Sequence, residues 1–169
     1  PMRKVSKLKE PRGRTRFLSD EERVRLLDVC RESKTDYLYT VVMVCLSTGA
    51  RKSEIMKLEW PHVDLESRRI TLWDTKNEDI RVAPLMGAAL EEMRQLHEVR
   101  RTDTDLCFPR RDGRWPLDIR SAWEKALEQA KIENFQFHDL RHSCASYLAM
   151  NGASLAEIAA VLGHKTLDM

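Results

Sequence analysis

A five-residue segment of the chain, HDLRH, carries side chains that could together hold an oxyanion such as phosphate. In a helix each residue advances by about 100°, which places His138, Arg141 and His142 on one side with Ala145 and Ala149. The small alanines leave space beside three cation-capable donors, which suit a phosphate. Apolar residues on the opposite side are enough to bury the helix: Leu140, Cys144, Tyr147 and Leu148. Packing therefore does not require the two histidines and the arginine, although a solvated polar face is the alternative for this segment taken alone.

Three further segments offer positioned cations. In TGARKSE, a glycine turn puts Arg51 at the start of a short predicted helix, where free backbone N–H groups favour an anion, and Glu54 follows one turn later to hold the guanidinium. Lys76 stands in a polar turn, from which it could reach into a groove and deliver a proton. Gly163 ends a predicted helix, and His164 follows it. Taken singly, these segments are equally consistent with a surface salt bridge, a solvated turn and a helix cap.

The rest of the sequence predicts a mostly helical domain with one small antiparallel β-hairpin or sheet, an α+β fold. Two short apolar segments, 70–73 and 80–83, flank the polar turn 74–79, which predicts a hairpin with Lys76 near its tip. Periodicity does not separate helix from strand in the apolar segment that begins at Tyr37, but its length favours a helix ended by Gly49. The predicted helices cover about 20–33, 37–47, 52–58, 85–100, 117–131, 138–150 and 154–162.

Basic residues are concentrated at the start of the chain. Residues 1–16 hold seven basic residues and one acidic residue, and removing them from the totals of 29 and 27 leaves 22 basic and 26 acidic residues. A basic arm on a mildly acidic body suggests a polyanionic partner, with a solvated linker as the alternative. We therefore divide the chain into a basic interdomain linker, 1–16, and a domain, 17–169.

The composition is that of one domain with a sizeable core. Of the 169 residues, 42% are hydrophobic, and no apolar run approaches the roughly 18 residues that a membrane helix needs. The four cysteines are widely spaced among apolar neighbours, which predicts buried free thiols in a reducing compartment.

Together, the four segments resemble the catalytic domain of the tyrosine recombinase (phage integrase) family. That family has a TGxRxxE arginine, a hairpin lysine, an HxLRH box, an LGH histidine and then a tyrosine. The resemblance covers about residues 17–169, and the HDLRH and LGH segments are its most specific part.

The resemblance implies a role for each of these residues. Arg51 and Arg141 would hold the scissile phosphate, and Lys76 would protonate the departing 5′-oxygen. His138 and His164 would hydrogen-bond the phosphate and assist proton transfer. Two further residues would support the site: Glu54 and His142. Fixed cationic donors of this kind stabilise the negative charge that develops on a phosphate under attack.

The resemblance also implies a reaction and its partners. A tyrosyl oxygen would attack DNA and store the bond energy as a 3′-phosphotyrosine. Two arginines and a lysine can replace a metal, and the sequence offers no carboxylate cluster to hold one, so we expect neither a metal nor a nucleotide cofactor. The partner would be double-stranded DNA, with Arg12, Arg14 and Arg16 on its backbone. Tetramers with exchanged tails would form on DNA in the bacterial cytoplasm, associated with the nucleoid and away from membranes.

The attacking tyrosine itself is expected beyond the sequence. The family places it about nine residues after the LGH histidine, which is about four residues past Met169. Tyr37, Tyr39 and Tyr147 stand elsewhere, and Tyr147 is predicted on the core side of its helix. Without the tyrosine and the family's usual N-terminal domain, the fragment is expected to bind DNA weakly and not to cleave it.

Parts of the sequence also suggest two other classes of protein. A helix-turn-helix regulator is suggested by residues 154–163, but it leaves Arg51, Lys76 and the HDLRH face without a role and lacks a recognition helix. A zinc hydrolase is suggested by the i, i+4 spacing of His138 and His142, but Arg141 between them would repel a cation.

Overall fold

The computed structural model describes residues 16–74 and 79–163, and in that part of the chain it contains seven α-helices and one three-stranded sheet. The helices are α1 Asp20–Arg31, α2 Leu38–Thr48, α3 Lys52–Met56, α4 Gly87–Glu98, α5 Arg120–Gln129, α6 Asp139–Met150 and α7 Leu155–Leu162. The strands are β1 Val63–Asp64, β2 Arg69–Asp74 and β3 Asp79–Pro84, and a 3₁₀ turn, Trp60–His62, precedes β1. The predicted fold class is confirmed.

Helix α2 is the centre of the domain. It packs against α1, α4 and α6, and most of its side chains are buried. Gly49 ends it with φ +62°, in the left-handed region that glycine adopts without penalty, and the Gly49 N–H donates to the carbonyl of Cys45. The prediction of a buried helix here, rather than a buried strand, is confirmed. The C-terminal end of α2 therefore leads directly into the TGAR segment.

Two helices begin with the same local device. Ser19 and Glu22 form a capping box at the start of α1, and Ser154 and Glu157 form one at the start of α7. In each, the serine hydroxyl accepts from the glutamate N–H and the carboxylate accepts from the serine N–H. These caps fix where α1 and α7 start relative to the turns before them.

The sheet has the order β1-β2-β3 and is antiparallel throughout. Strands β2 and β3 form the predicted hairpin, whereas β1 was not predicted because two residues are too few to show a period. Ile70 pairs with Ala83 and Leu72 with Arg81, so these four side chains share one face of the hairpin. Residues 75–78, including Lys76, lie outside the described residues.

The core extends from α1 to α6 in one cluster of buried apolar residues. All four cysteines are buried, as predicted, and in the described residues they are free thiols. Helix α5 and its two flanking residues bury an apolar stripe, with Ile119, Trp123, Ala126 and Ala130 at most 6% exposed. In the described ranges no helix has both the length and the apolar character needed to span a membrane.

Candidate active site

Arg141 lies inside the domain. Only 5% of the residue is exposed, and its guanidinium donates from Nη1 to the carbonyl of Gly49 at 2.7 Å and from Nη2 to the carbonyl of Leu162 at 2.5 Å. Helix periodicity predicts that Arg141 lies on the same side of α6 as His142 and Ala145, next to open space. This prediction was incomplete. Its long side chain reaches between the end of α2 and the end of α7, where backbone carbonyls lack helical partners. Arg141 therefore joins two of the four predicted segments.

Arg51 and Glu54 form the predicted ion pair. Arg51 precedes α3, and its Nη1 lies 2.8 Å from Oε1 of Glu54, while its backbone N–H donates to Oε2 at 2.7 Å. The carboxylate is 1% exposed and the Arg51 side chain 35% exposed. Glu54 thus holds Arg51 by both its side chain and its backbone.

A third arginine, Arg81 on β3, completes this cluster and was missed in the sequence. Its Nη2 lies 3.0 Å from Oε2 of Glu54, and its Nη1 donates to the carbonyl of Val161 at 2.5 Å. The apolar neighbours of Arg81 in β3, Ile80 and Val82, are 55% and 54% exposed. An alignment of β2 with β3 in the sequence would have indicated that Arg81 faces inward, because it pairs with the apolar Leu72.

The cluster of Arg51, Glu54, Arg81 and Arg141 carries more positive than negative charge. Burial, together with the charges of Arg51 and Arg81, lowers the pKa of Arg141 to about 10. Among the described residues, Glu54 forms ion pairs with Arg51 and Arg81, and its charge also acts on Arg141. An anion at this cluster would relieve the repulsion, so the site is suited to bind one.

His138 stands beside this cluster at the N-cap of α6. Its ring centroid is 5.2 Å from that of His142, and the rings are nearly perpendicular. Partial burial lowers the pKa of His138 below 6.5, and the charges of His142, Arg141 and Arg51 act in the same direction. A lowered pKa favours the neutral imidazole, which is the form that can accept a proton.

The structure brings together Arg51, Glu54, His138, Arg141 and His142, all from the predicted site. Two other predicted site residues, Lys76 and His164, lie outside the described residues, as do Arg12 and Arg14. In the part of the chain that is described, no three His, Cys, Asp or Glu side chains are grouped as metal ligands.

Arg16, predicted to bind DNA, has a partner within the domain. Its Nη1 lies 2.9 Å from Oε2 of Glu22, and its guanidinium lies 5.5 Å from the ring centroid of Phe135. Arg16 thus packs against the domain, and only 30% of its side chain is exposed. Tyr147 is half-buried and donates its hydroxyl to the carbonyl of Leu18, which agrees with its predicted position on the core side.

Comparison with known proteins decides the family. The model of the phage integrase family matches residues 16–169. The chain belongs to the phage integrase family. Among its relatives is a shufflon-specific DNA recombinase of Escherichia coli, 32% identical over 170 residues, which cover 100% of this chain and 42% of that protein. The chain therefore spans less than half the length of this relative.

Solved structures of this family have the same fold. The catalytic domain of bacteriophage HP1 integrase aligns with a TM-score of 0.69 and 32% identity, over 89% of this chain and 81% of that one. The Tn1549 transposon integrase, in complex with a circular intermediate DNA, aligns with a TM-score of 0.77 and 16% identity, over 94% of this chain and 61% of that one. The fold is that of a tyrosine recombinase catalytic domain.

Proposed function

We propose that this chain is the catalytic domain of a site-specific DNA recombinase, which cleaves and rejoins DNA through a 3′-phosphotyrosine without a metal. The observation that carries the proposal is the cluster of Arg51, Arg81 and Arg141 around Glu54, next to His138. Family membership supports the same function. A non-enzymatic regulator would have no use for a largely buried cluster with excess positive charge.

Arg51 and Arg141 hold the scissile phosphate in this proposal. The two carbonyl bonds of Arg141 use two of the five N–H donors of its guanidinium, and the others serve the phosphate. Because these bonds fix the guanidinium in advance, little reorganisation is needed when charge develops on the non-bridging oxygens. Arg51, which Glu54 orients, supplies the partly exposed donor from the other side of the cluster.

The bond changes follow from the surrounding groups. The oxygen of a tyrosine beyond Met169 forms a bond to phosphorus, and its proton passes to His138, with His164 assisting. The P–O5′ bond breaks with its electron pair on the 5′-oxygen, and Lys76 gives that oxygen a proton. The lowered pKa of His138 supports its part, since a protonated imidazole could not accept the proton.

A basic surface beside the site supports double-stranded DNA as the partner. The backbone N–H of Arg120 lowers the pKa of Asp118, and the charges of Lys52, Arg120 and Arg110 act in the same direction, so these three cations lie near this exposed carboxylate. Lys52 also lies 5.9 Å from the ring centroid of Phe137, which precedes His138. Positive charge thus continues from the site onto the exposed surface, as contact with successive phosphates requires.

We extend the proposal to the assembly and its place in the cell. The basic linker, with Arg12 and Arg14, follows the DNA backbone, and several copies assemble on DNA with tail exchange between subunits. Because its substrate is DNA, the protein acts at the nucleoid of a bacterial cell.

The decisive experiment uses a chain extended by about fifteen native residues, enough to pass the expected tyrosine. It is offered a nicked suicide substrate that carries its site, in the presence of a chelator. A covalent adduct with its phosphate on a tyrosine of the added tail is expected. Lys76→Ala should slow adduct formation, and a 5′-bridging sulfur should restore much of the rate, because sulfur leaves without a proton. Tight binding of site DNA with no adduct would support the regulator instead.

A further inference from the structure

Arg81 connects three parts of the site that are far apart in the chain. Its guanidinium reaches Oε2 of Glu54, the carbonyl of Val161 at the end of α7, and more distantly the carbonyls of Thr48 and Gly49 at 3.4 and 3.3 Å. The Arg81 side chain is 10% exposed. Within the cluster, Arg81 therefore lies on the buried side and Arg51 on the exposed side.

The carboxylate of Glu54 is shared between Arg81 and Arg51. Oε2 accepts from Nη2 of Arg81 at 3.0 Å and from the backbone N–H of Arg51 at 2.7 Å, which leaves Oε1 for the Arg51 guanidinium at 2.8 Å. Since Arg81 holds one oxygen from the buried side, the plane of the carboxylate is fixed. That plane in turn sets the direction in which the Arg51 guanidinium points.

At the end of α7, Arg81 acts beside Arg141. Arg81 donates to the carbonyl of Val161 and Arg141 to that of Leu162, so two arginines occupy consecutive carbonyls of the last turn. The chain then passes Arg81 closely at Gly163, where a Cβ would lie 2.3 Å from Cδ of Arg81. The position of Arg81 therefore fixes where the chain leaves α7, one residue before His164.

The burial of Arg81 also has a free-energy cost that a side chain needed only for packing would not have. Among the described residues its Nε is buried without a hydrogen-bond partner. An apolar side chain opposite Leu72 would fill this face of the hairpin without such a donor, since an unsatisfied buried donor is destabilising. The arginine at this position is better explained by the three segments that it joins.

We propose that Arg81 is a positioning residue of the recombinase site. It holds Glu54 and the end of α7 in one arrangement, so that Arg51 and Arg141 present their donors to the same phosphate. The cleavage step of this inference rests on the proposed function, while the restraint on Arg51 can be measured without DNA.

The test compares Arg81→Met and Arg81→Lys with a control, Leu26→Ala, which removes a fully buried side chain of α1 and lowers stability without touching the cluster. In the extended chain, Arg81→Met should slow single-turnover adduct formation about 10²-fold, as expected for misplaced catalytic groups. The dissociation constant for site DNA should change little. Arg81→Lys keeps the charge near Glu54 and should recover part of the rate. Leu26→Ala, measured well below its Tm, should cleave at the original rate.

The second measurement follows the arginine side chains by ¹⁵N NMR in the absence of DNA. Rotation of the Arg51 guanidinium about its Nε–Cζ bond should become faster in Arg81→Met and in Glu54→Gln, and not in Leu26→Ala. If the original protein forms no adduct but this change is seen, the proposed function fails and the positioning role stands. If adduct forms and neither the cleavage rate nor the Arg51 rotation differs between Arg81→Met and the control, the role of Arg81 is overturned.

Discussion

Nη1 of Arg141 lies 2.7 Å from the carbonyl oxygen of Gly49, although the two residues are 92 positions apart in the chain. This bond joins the start of α6 to the end of α2, and it brings the HDLRH and TGAR segments into one site. It is possible because Gly49 turns the chain in the left-handed region, which directs its carbonyl toward α6 rather than along α2.

The close packing around Gly49 predicts that Gly49→Ala destabilises the domain strongly. A Cβ there would lie 2.3 Å from Cδ2 of Leu162, while at Gly152, which also has positive φ, no atom lies within 4 Å of an added Cβ. Gly152→Ala is therefore a matched control for backbone strain alone. We expect Gly49→Ala to lower the free energy of unfolding by about 1–3 kcal/mol more than the control, as overpacking does. Urea denaturation measures the difference, and equal losses for the two variants would contradict it.

Replacement of Arg141 should affect chemistry far more than DNA binding. In the extended chain, Arg141→Ala removes a fixed donor to the developing charge, and adduct formation should fall about 10²-fold or more. A control is Arg25→Ala, since Arg25 also donates to a backbone carbonyl, that of Ala130 at 3.0 Å, but belongs to α1. Quantified adduct on a denaturing gel, with circular dichroism to verify folding, distinguishes the two. Similar losses for both variants would show that the effect is only structural.

The pKa of His138 should lie below its ordinary value of 6.5 because of partial burial and the charges of His142, Arg141 and Arg51. A lowered pKa in the folded state means that the unfolded chain binds the proton more readily. His138 therefore leaves stability unchanged above about pH 6.5 and reduces it as the pH falls from there through the folded pKa.

NMR titration of the imidazole signals measures this directly. Two variants test the causes. His142→Gln removes one neighbouring charge and should raise the pKa of His138. His138→Gln should lessen the loss of stability on acidification. A pKa of His138 at or above 6.5 in the original protein would contradict the lowering expected from burial and from the neighbouring charges.

The basic linker should contribute to DNA binding unevenly. Each neutralised phosphate adds about 0.9 to the slope of log affinity against log salt. Arg12→Ala with Arg14→Ala should flatten that slope by nearly two such contributions. Arg16→Ala should change it little, because Glu22 already holds its guanidinium. Fluorescence anisotropy with a duplex at several salt concentrations provides the slopes. An unchanged slope in the double variant would show that the linker is only a spacer.

The sequence by itself determined the helical fold class, the hairpin, and the residues Arg51, Glu54, His138 and Arg141 of the candidate site. These were accessible because capping, periodicity and short motifs are local, and each is complete within a few residues. The family resemblance came from the same local segments, taken together in their order.

Only the tertiary structure decided how those residues work together. Helix periodicity places Arg141 on one side of α6, but not where its guanidinium ends, which depends on the carbonyls of Gly49 and Leu162 in other helices. Arg81 was missed for the same reason: its role comes from the pairing of β2 with β3 and from the docking of α7. A buried charge is stable only with partners that balance its lost hydration, and those partners are distant in the chain. The folded chain alone brings them into contact.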